Sequence, residues 1–247
     1  MVFEYAPTVT IRSCTGACTE ERLCAVGTGG VAQRFARVAL RTPLGRSRAW
    51  DAVLVAARPS GRYPGCLLPS LFTITDGASL VVIDAELLAR NGTGAQMAAH
   101  ELGHSLGMAH SHSAALTAPG EQPTYIFEYG DSWSIMGAAF AAPPAPMQSA
   151  LGWLEGRAVA RGGTYPLASL ATGDALVWDR GLGSRLWIER RTDGPGPGVM
   201  LHAETGVQPG YAQSWLITPL PLQPGQTWTD PFTGASLDIG AESVTLR

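Results

Sequence analysis

The chain contains no lysine: all 17 of its basic residues are arginine, and charged residues of either sign make up only 15% of its 247 positions. Its formal net charge is −3, and no basic stripe runs along any segment, so the electrostatic footprint of a nucleic-acid partner is missing. A GC-rich coding sequence explains the arginine bias more simply than function does. No apolar run reaches the roughly 18 residues of a membrane span. The opening MVFEYAPTV has neither the basic start nor the apolar stretch of a secretory leader. For an exported protein, leader and pro-segment are therefore expected to lie outside this sequence. Hydrophobic residues account for 45%, which argues against disorder. The length suits one large or two modest domains.

Cysteine is scarce as well. Cys14, Cys18 and Cys24 stand close together, with Cys66 further on, and their irregular spacing does not suit a zinc knuckle. Two disulfides in an oxidising compartment are the reading taken here, with connectivity open. Free, partly buried thiols are one alternative, and an early cysteine acting as an inhibitory metal ligand is another.

Of the five histidines, three fall within eleven residues, in HELGHSLGMAH from His100 to His110. The pattern is H-E-x-x-H-x-x-G-x-x-H. His100 and His104, four apart on a helix, share one face with Cβ atoms about 5–6 Å apart, a spacing that zinc accepts at roughly 2.0–2.1 Å per nitrogen. If the helix continued, His110 would lie about 9 Å further along its axis, too far to share the ion. The chain must leave the helix first, and Gly107 is the residue that can enter the left-handed backbone region without a Cβ clash. Glu101, beside the first ligand, can reach a water without itself binding metal. The motif therefore proposes His100, His104 and His110 as ligands of one Zn2+, with Glu101 as the catalytic base.

This segment resembles the zinc signature of the metzincin metallopeptidases. Members of that clan carry a Met-turn downstream, and YGDSWSIMG supplies Met136 in a tight, glycine-ended segment. The resemblance implies an apolar floor under the three histidines, made by Met136 without touching the metal. Over residues 50–240 the chain also resembles the gametolysin-type metallopeptidases. The motifs that carry this are WDAVLVAARP, GC at 65–66, HELGHSLGMAHS, YGDSWSIMG, LGWL, GTYPLASL, LWIERR, GVMLH and DPFTG. There are two departures. Many members of that family begin the motif with Gln or vary the third ligand, whereas all three histidines are present here. Many metzincins carry Tyr two residues after the Met-turn methionine, whereas position 138 is Ala, so no tyrosine switch is expected there.

Along the chain, periodicity and turn residues predict strands over 8–12, 50–57 and 79–84, and a helix over 31–40. They also predict the zinc helix over 92–107, with Ala98, Ala99, Leu102 and Leu106 as its apolar positions. Residues 111–135 read as a long loop, which in this clan walls the substrate cleft. Residues 148–154 read as a helix, with Trp153 and Leu154 buried at a junction. After Gly156, short strand-like runs alternate with Gly/Pro turns. The expectation is an α+β protein: a zincin-like metzincin domain over 1–156, then a small all-β sandwich-like domain over 157–247. His202 reads as structural. Trp178, Trp187, Trp215 and Trp228 read as core rather than as a sugar platform. Asn91-Gly92-Thr93 is a glycosylation sequon.

The resemblance implies a secreted zinc endopeptidase acting on protein or peptide; composition gives it no nucleic-acid partner and no membrane span, and the oligomeric state is open, with a monomer expected. The strand near 79–84 is expected to hold substrate as an exposed edge. A zinc hydrolase for another amide or ester is one alternative. Another is a retired peptidase scaffold that binds protein or carbohydrate.

Overall fold

The alanine-rich stretch TGAQMAAHELGHS favours helix and forms α1, Thr93–Ser105. The helix ends at Ser105, short of the expected 107, and the chain then turns through Gly107, whose φ is +91°. The computed structural model describes residues 52–57, 71–75, 78–84, 89, 92–205 and 212–247. The strand expected over 8–12, the helix over 31–40, all four cysteines and Asn91 lie outside the described residues. By contacts the chain divides into two compact units, Met1–Ser105 and Leu106–Arg247.

In the first unit a three-stranded sheet runs in the order β1 (Ala52–Ala57), β3 (Ala78–Asp84), β2 (Leu71–Thr75). β3 pairs parallel with β1 from Ser79 to Asp84 and antiparallel with β2 from Ala78 to Val82. It is the central strand, with both sides occupied, so it cannot add a substrate strand as expected. The helix α1 packs on β3 and β2. Its buried residues are Gly94, Glu101 and Gly103, while Leu102 and Leu106 are exposed. The expected apolar face is therefore corrected at those two leucines: neighbouring contacts, not helical periodicity, decide which side of this short helix is covered.

The second unit is mostly sheet. Seven strands run in the order β5-β4-β11-β10-β9-β8-β6 and four in the order β12-β13-β14-β7. The larger sheet takes β4 (Met108–Ala115), β5 (Thr124–Phe127), β6 (Arg157–Val159), β8 (Leu176–Gly181), β9 (Ser184–Arg191), β10 (Gly198–Thr205) and β11 (Ala212–Leu216). The smaller takes β7 (Gly163–Pro166), β12 (Thr227–Thr229), β13 (Ser236–Ile239) and β14 (Ser243–Leu246). One apolar core joins the two sheets: Leu176, Leu186, Ile188 and Leu201 on one side, Leu237, Ile239, Val244 and Leu246 on the other. Trp178 belongs to this core, Trp215 and Trp228 pack against it, and Trp187 is buried in a neighbouring cluster. His202 is fully buried.

Further expectations change. The region read as a loop over 111–135 contains most of β4 and all of β5. β4 pairs parallel with β11 and antiparallel with β5, a strand made by distant partners from MAHSHSAA, which has no β-branched residue. The helix read over 148–154 is α2, Ala145–Ala150. Leu154 is buried against Ala145, Leu170, Ala175 and Trp187, but Trp153 is exposed. The boundary expected at residue 156 falls inside the second unit, whose large sheet takes strands from both sides of it. The fold is thus mixed α+β, dominated by sheet with few helices. Among the described residues no helix is long and apolar enough to cross a membrane.

Candidate metal centre

The i, i+4 spacing brings the His100 and His104 rings to 4.8 Å between centroids, edge to face. After Ser105 the chain turns through Gly107 and enters β4, which carries His110. One ligand atom from each of His100, His104 and His110 lies within 4.8 Å of the other two. Among the described residues this is the one group of three or more His, Cys, Asp or Glu close enough to share a cation. A tetrahedral ion with bonds of 2.0–2.1 Å separates its ligand atoms by about 3.4 Å. Three half-buried imidazoles are a donor set that could hold a cation such as zinc, whose ligand atoms would have to close to that spacing from within 4.8 Å.

His110 is oriented from two directions. Its Nδ1 lies 2.9 Å from Glu128 Oε1. With the Nδ1 proton donated to that carboxylate, Nε2 is left as the ligand atom. The ring of Tyr129 lies against it, tilted by 43°, at 4.1 Å between centroids. Tyr129 has φ +58°, a backbone conformation uncommon for a bulky residue, and it places its ring directly after Glu128. Both residues follow β5. If the three histidines hold zinc, Glu128→Ala is expected to weaken its binding 10–100-fold, the usual effect of removing an outer partner of a ligating histidine, with Glu128→Gln milder. Competition against a chromophoric chelator measures this; wild-type affinity in a folded Glu128→Ala chain would contradict it.

Glu101 is buried, with 7% of its surface exposed, next to His100 in the chain. Met136 is fully buried. Its turn is closed by Gly137 N donating to Ser134 O at 3.0 Å and Ala138 N donating to Asp131 O at 2.9 Å. Ser134 Oγ accepts from Met136 N at 3.0 Å. A Cβ on Gly137 would sit 2.0 Å from Asp131 O, which is why glycine ends this segment. The turn is stitched to β4 beside His110, because Ser111 N donates to Met136 O at 2.8 Å.

His112, two residues beyond His110, is not in the group of three. Its ring lies 5.0 Å from Trp215 and 5.5 Å from Tyr125 between centroids. Burial lowers its pKa, outweighing the opposite pull of Glu128. Sequence reasoning did not single out Glu128, Tyr129 or Asp131, although the latter two stand in the segment quoted for the Met-turn.

Comparison with known proteins finds no matching family model and no match among curated proteins or solved structures.

Proposed function

We propose that the protein is a secreted zinc-dependent endopeptidase that hydrolyses internal peptide bonds at His100, His104 and His110. The observation that carries this reading is the convergence of three imidazole ligand atoms within 4.8 Å, reached through the glycine bend the motif requires. The zincin-like, metzincin and gametolysin-type assignments rest on the motifs and belong to this proposal. A zinc ion at the site supplies Lewis acidity and makes hydroxide available near neutral pH. Glu101 accepts the proton of the attacking water and returns it to the leaving amine. Glu128 and Tyr129 fix the third imidazole, and Met136 gives the buried apolar floor. The retired-scaffold reading is disfavoured because Glu101 is intact.

Substrate is held at a different edge from the one read in the sequence. β5 ends the seven-stranded sheet, and Tyr125, Ile126 and Phe127 on it are exposed. From Phe127 the chain passes at once to Glu128 and Tyr129 against His110. An extended peptide added to this edge gains backbone hydrogen bonds and apolar contacts. Ile126→Asp is then expected to raise KM about tenfold, on the scale of one partly buried apolar side chain, with kcat nearly unchanged. Steady-state kinetics on a cleaved peptide measure the split, and an unchanged KM would remove β5 from the substrate path.

The metal assignment itself is tested by elemental analysis. The full chain should carry about one zinc, and His104→Ala should carry none. Stoichiometric zinc in that variant would sink the ligand set.

A further inference from the structure

The second unit contains a cluster of charged side chains that the proposed chemistry does not use. Asp131 Oδ2 accepts from Ser111 Oγ at 2.6 Å and lies 3.0 Å from His202 Nε2, while Oδ1 accepts from Trp133 N at 2.9 Å. On its other side, His202 Nδ1 lies 3.6 Å from Glu189 Oε1. Glu189 Oε1 accepts from Arg191 at 3.0 Å, and Oε2 accepts from Ala145 N at 2.6 Å. The Arg191 guanidinium also donates to the carbonyls of Trp133 and Ala142 and pairs with Asp193. Asp131, Glu189, Arg191 and His202 have no exposed surface.

The cluster leads to the third histidine. Ser111, the residue after His110, is bonded to the 131–136 turn three times: its N–H to Met136 O, its carbonyl from Asp131 N, and its hydroxyl to the Asp131 carboxylate. His202 stands on β10 and Glu189 on β9, so these strands fix Asp131, Asp131 fixes Ser111, and Ser111 sets where β4 places His110. Burial favours the neutral form of His202, but Glu189 and Asp131 on either side outweigh it, against some opposition from Arg191, and raise its pKa. Burial likewise pushes the Asp131 carboxyl up, yet His202, Ser111 and Trp133 N–H hold it below the ordinary carboxylate range. The pair is an ionic contact without solvent, which fixes geometry more rigidly than a surface pair does.

We propose that His202 and Asp131 are positioning residues for the third metal ligand, so that the C-terminal strands β9 and β10 set the metal affinity of a site they do not touch. This rests on the metal-centre reading above.

The test is zinc and cobalt affinity of the full-length chain, by chelator competition, together with the visible spectrum of the cobalt form. His202→Ala is expected to weaken zinc binding about tenfold, the lower end of what outer partners contribute, and to shift the cobalt bands. His202→Gln, which keeps an N–H for Asp131, should recover most of the loss. Leu237→Ala, a core truncation in β13 of the smaller sheet, is the control for stability alone. It should lower the melting temperature and leave affinity and spectrum unchanged. Where His202→Ala does not fold, Ser111→Ala breaks the same relay with less disruption and should weaken binding in the same direction. Wild-type affinity and spectrum in a folded His202→Ala or Ser111→Ala chain would overturn the proposal, as would an equal loss in Leu237→Ala. A wild-type chain that binds no zinc at the three histidines would overturn the metal-centre reading instead, and this inference with it.

Discussion

Glu101→Gln is expected to keep its zinc and its fold and to lose peptide cleavage by 10²–10⁴-fold or more, the range associated with removing a positioned general base. The substitution is nearly isosteric, so the helix and its two histidines are undisturbed. It removes only the capacity to take a proton. Glu101 is the one carboxylate fixed within the motif, and it is buried on α1 beside His100. Metal content, circular dichroism and kcat/KM measured on one preparation separate the possibilities. Near-normal cleavage by a folded, zinc-loaded Glu101→Gln chain would assign the proton transfer to another group.

The second large effect is on folding. A chain cut after Gly156 is expected to lose cooperative unfolding, because the cut divides a sheet. β4 loses its parallel partner β11, paired from Met108 with Ala212 to Ser113 with Leu216. Trp133 loses Met200 and Leu216, the other members of its buried cluster, and the bond from its indole N–H to Gly196 O at 3.0 Å. Asp131 loses His202, leaving a carboxylate built for an interior without its counter-charge. Removing one partner of a buried pair typically costs about 3–5 kcal/mol, and a typical domain is stable by only about 5–15 kcal/mol. Thermal melting and limited proteolysis of the 1–156 fragment decide this. A fragment that melts and resists protease like the full chain would make residues 157–247 an independent module.

What the sequence revealed and what it hid divide along the range of the forces involved. The helix over the motif, the bend at Gly107 and the exit to His110 follow from residues within eleven positions of one another, so they could be read directly. The strands RLWIERR and GVMLHA carry enough β-branched and aromatic residues to declare themselves. β4 does not: MAHSHSAA becomes a strand because β11, about a hundred residues later, pairs with it. The central place of β3 was hidden although its partners lie close in the chain, since strand order is a property of partners rather than of SLVVID itself. Leu102 and Leu106 fit the helical period yet are exposed, because a pattern gives a face and not its cover. Asp131, Glu189, Arg191 and His202 are separated by up to 71 positions, and no local pattern links a histidine in a strand to an aspartate in a turn. Glu128 could have been suspected from its place just before YGDSWSIMG, but only the fold brings it to His110.

The central claim is that the three histidines hold a metal that this chain uses to cut peptide bonds. Cleavage of a mixed peptide library by the full chain tests it most directly, run before chelation, after it, and after zinc is restored. The account predicts cleavage at internal bonds that disappears with the metal, returns with zinc, and is absent in His104→Ala throughout. Cleavage that survives chelation and the loss of His104, or no cleavage by a chain shown to carry one zinc, would contradict it.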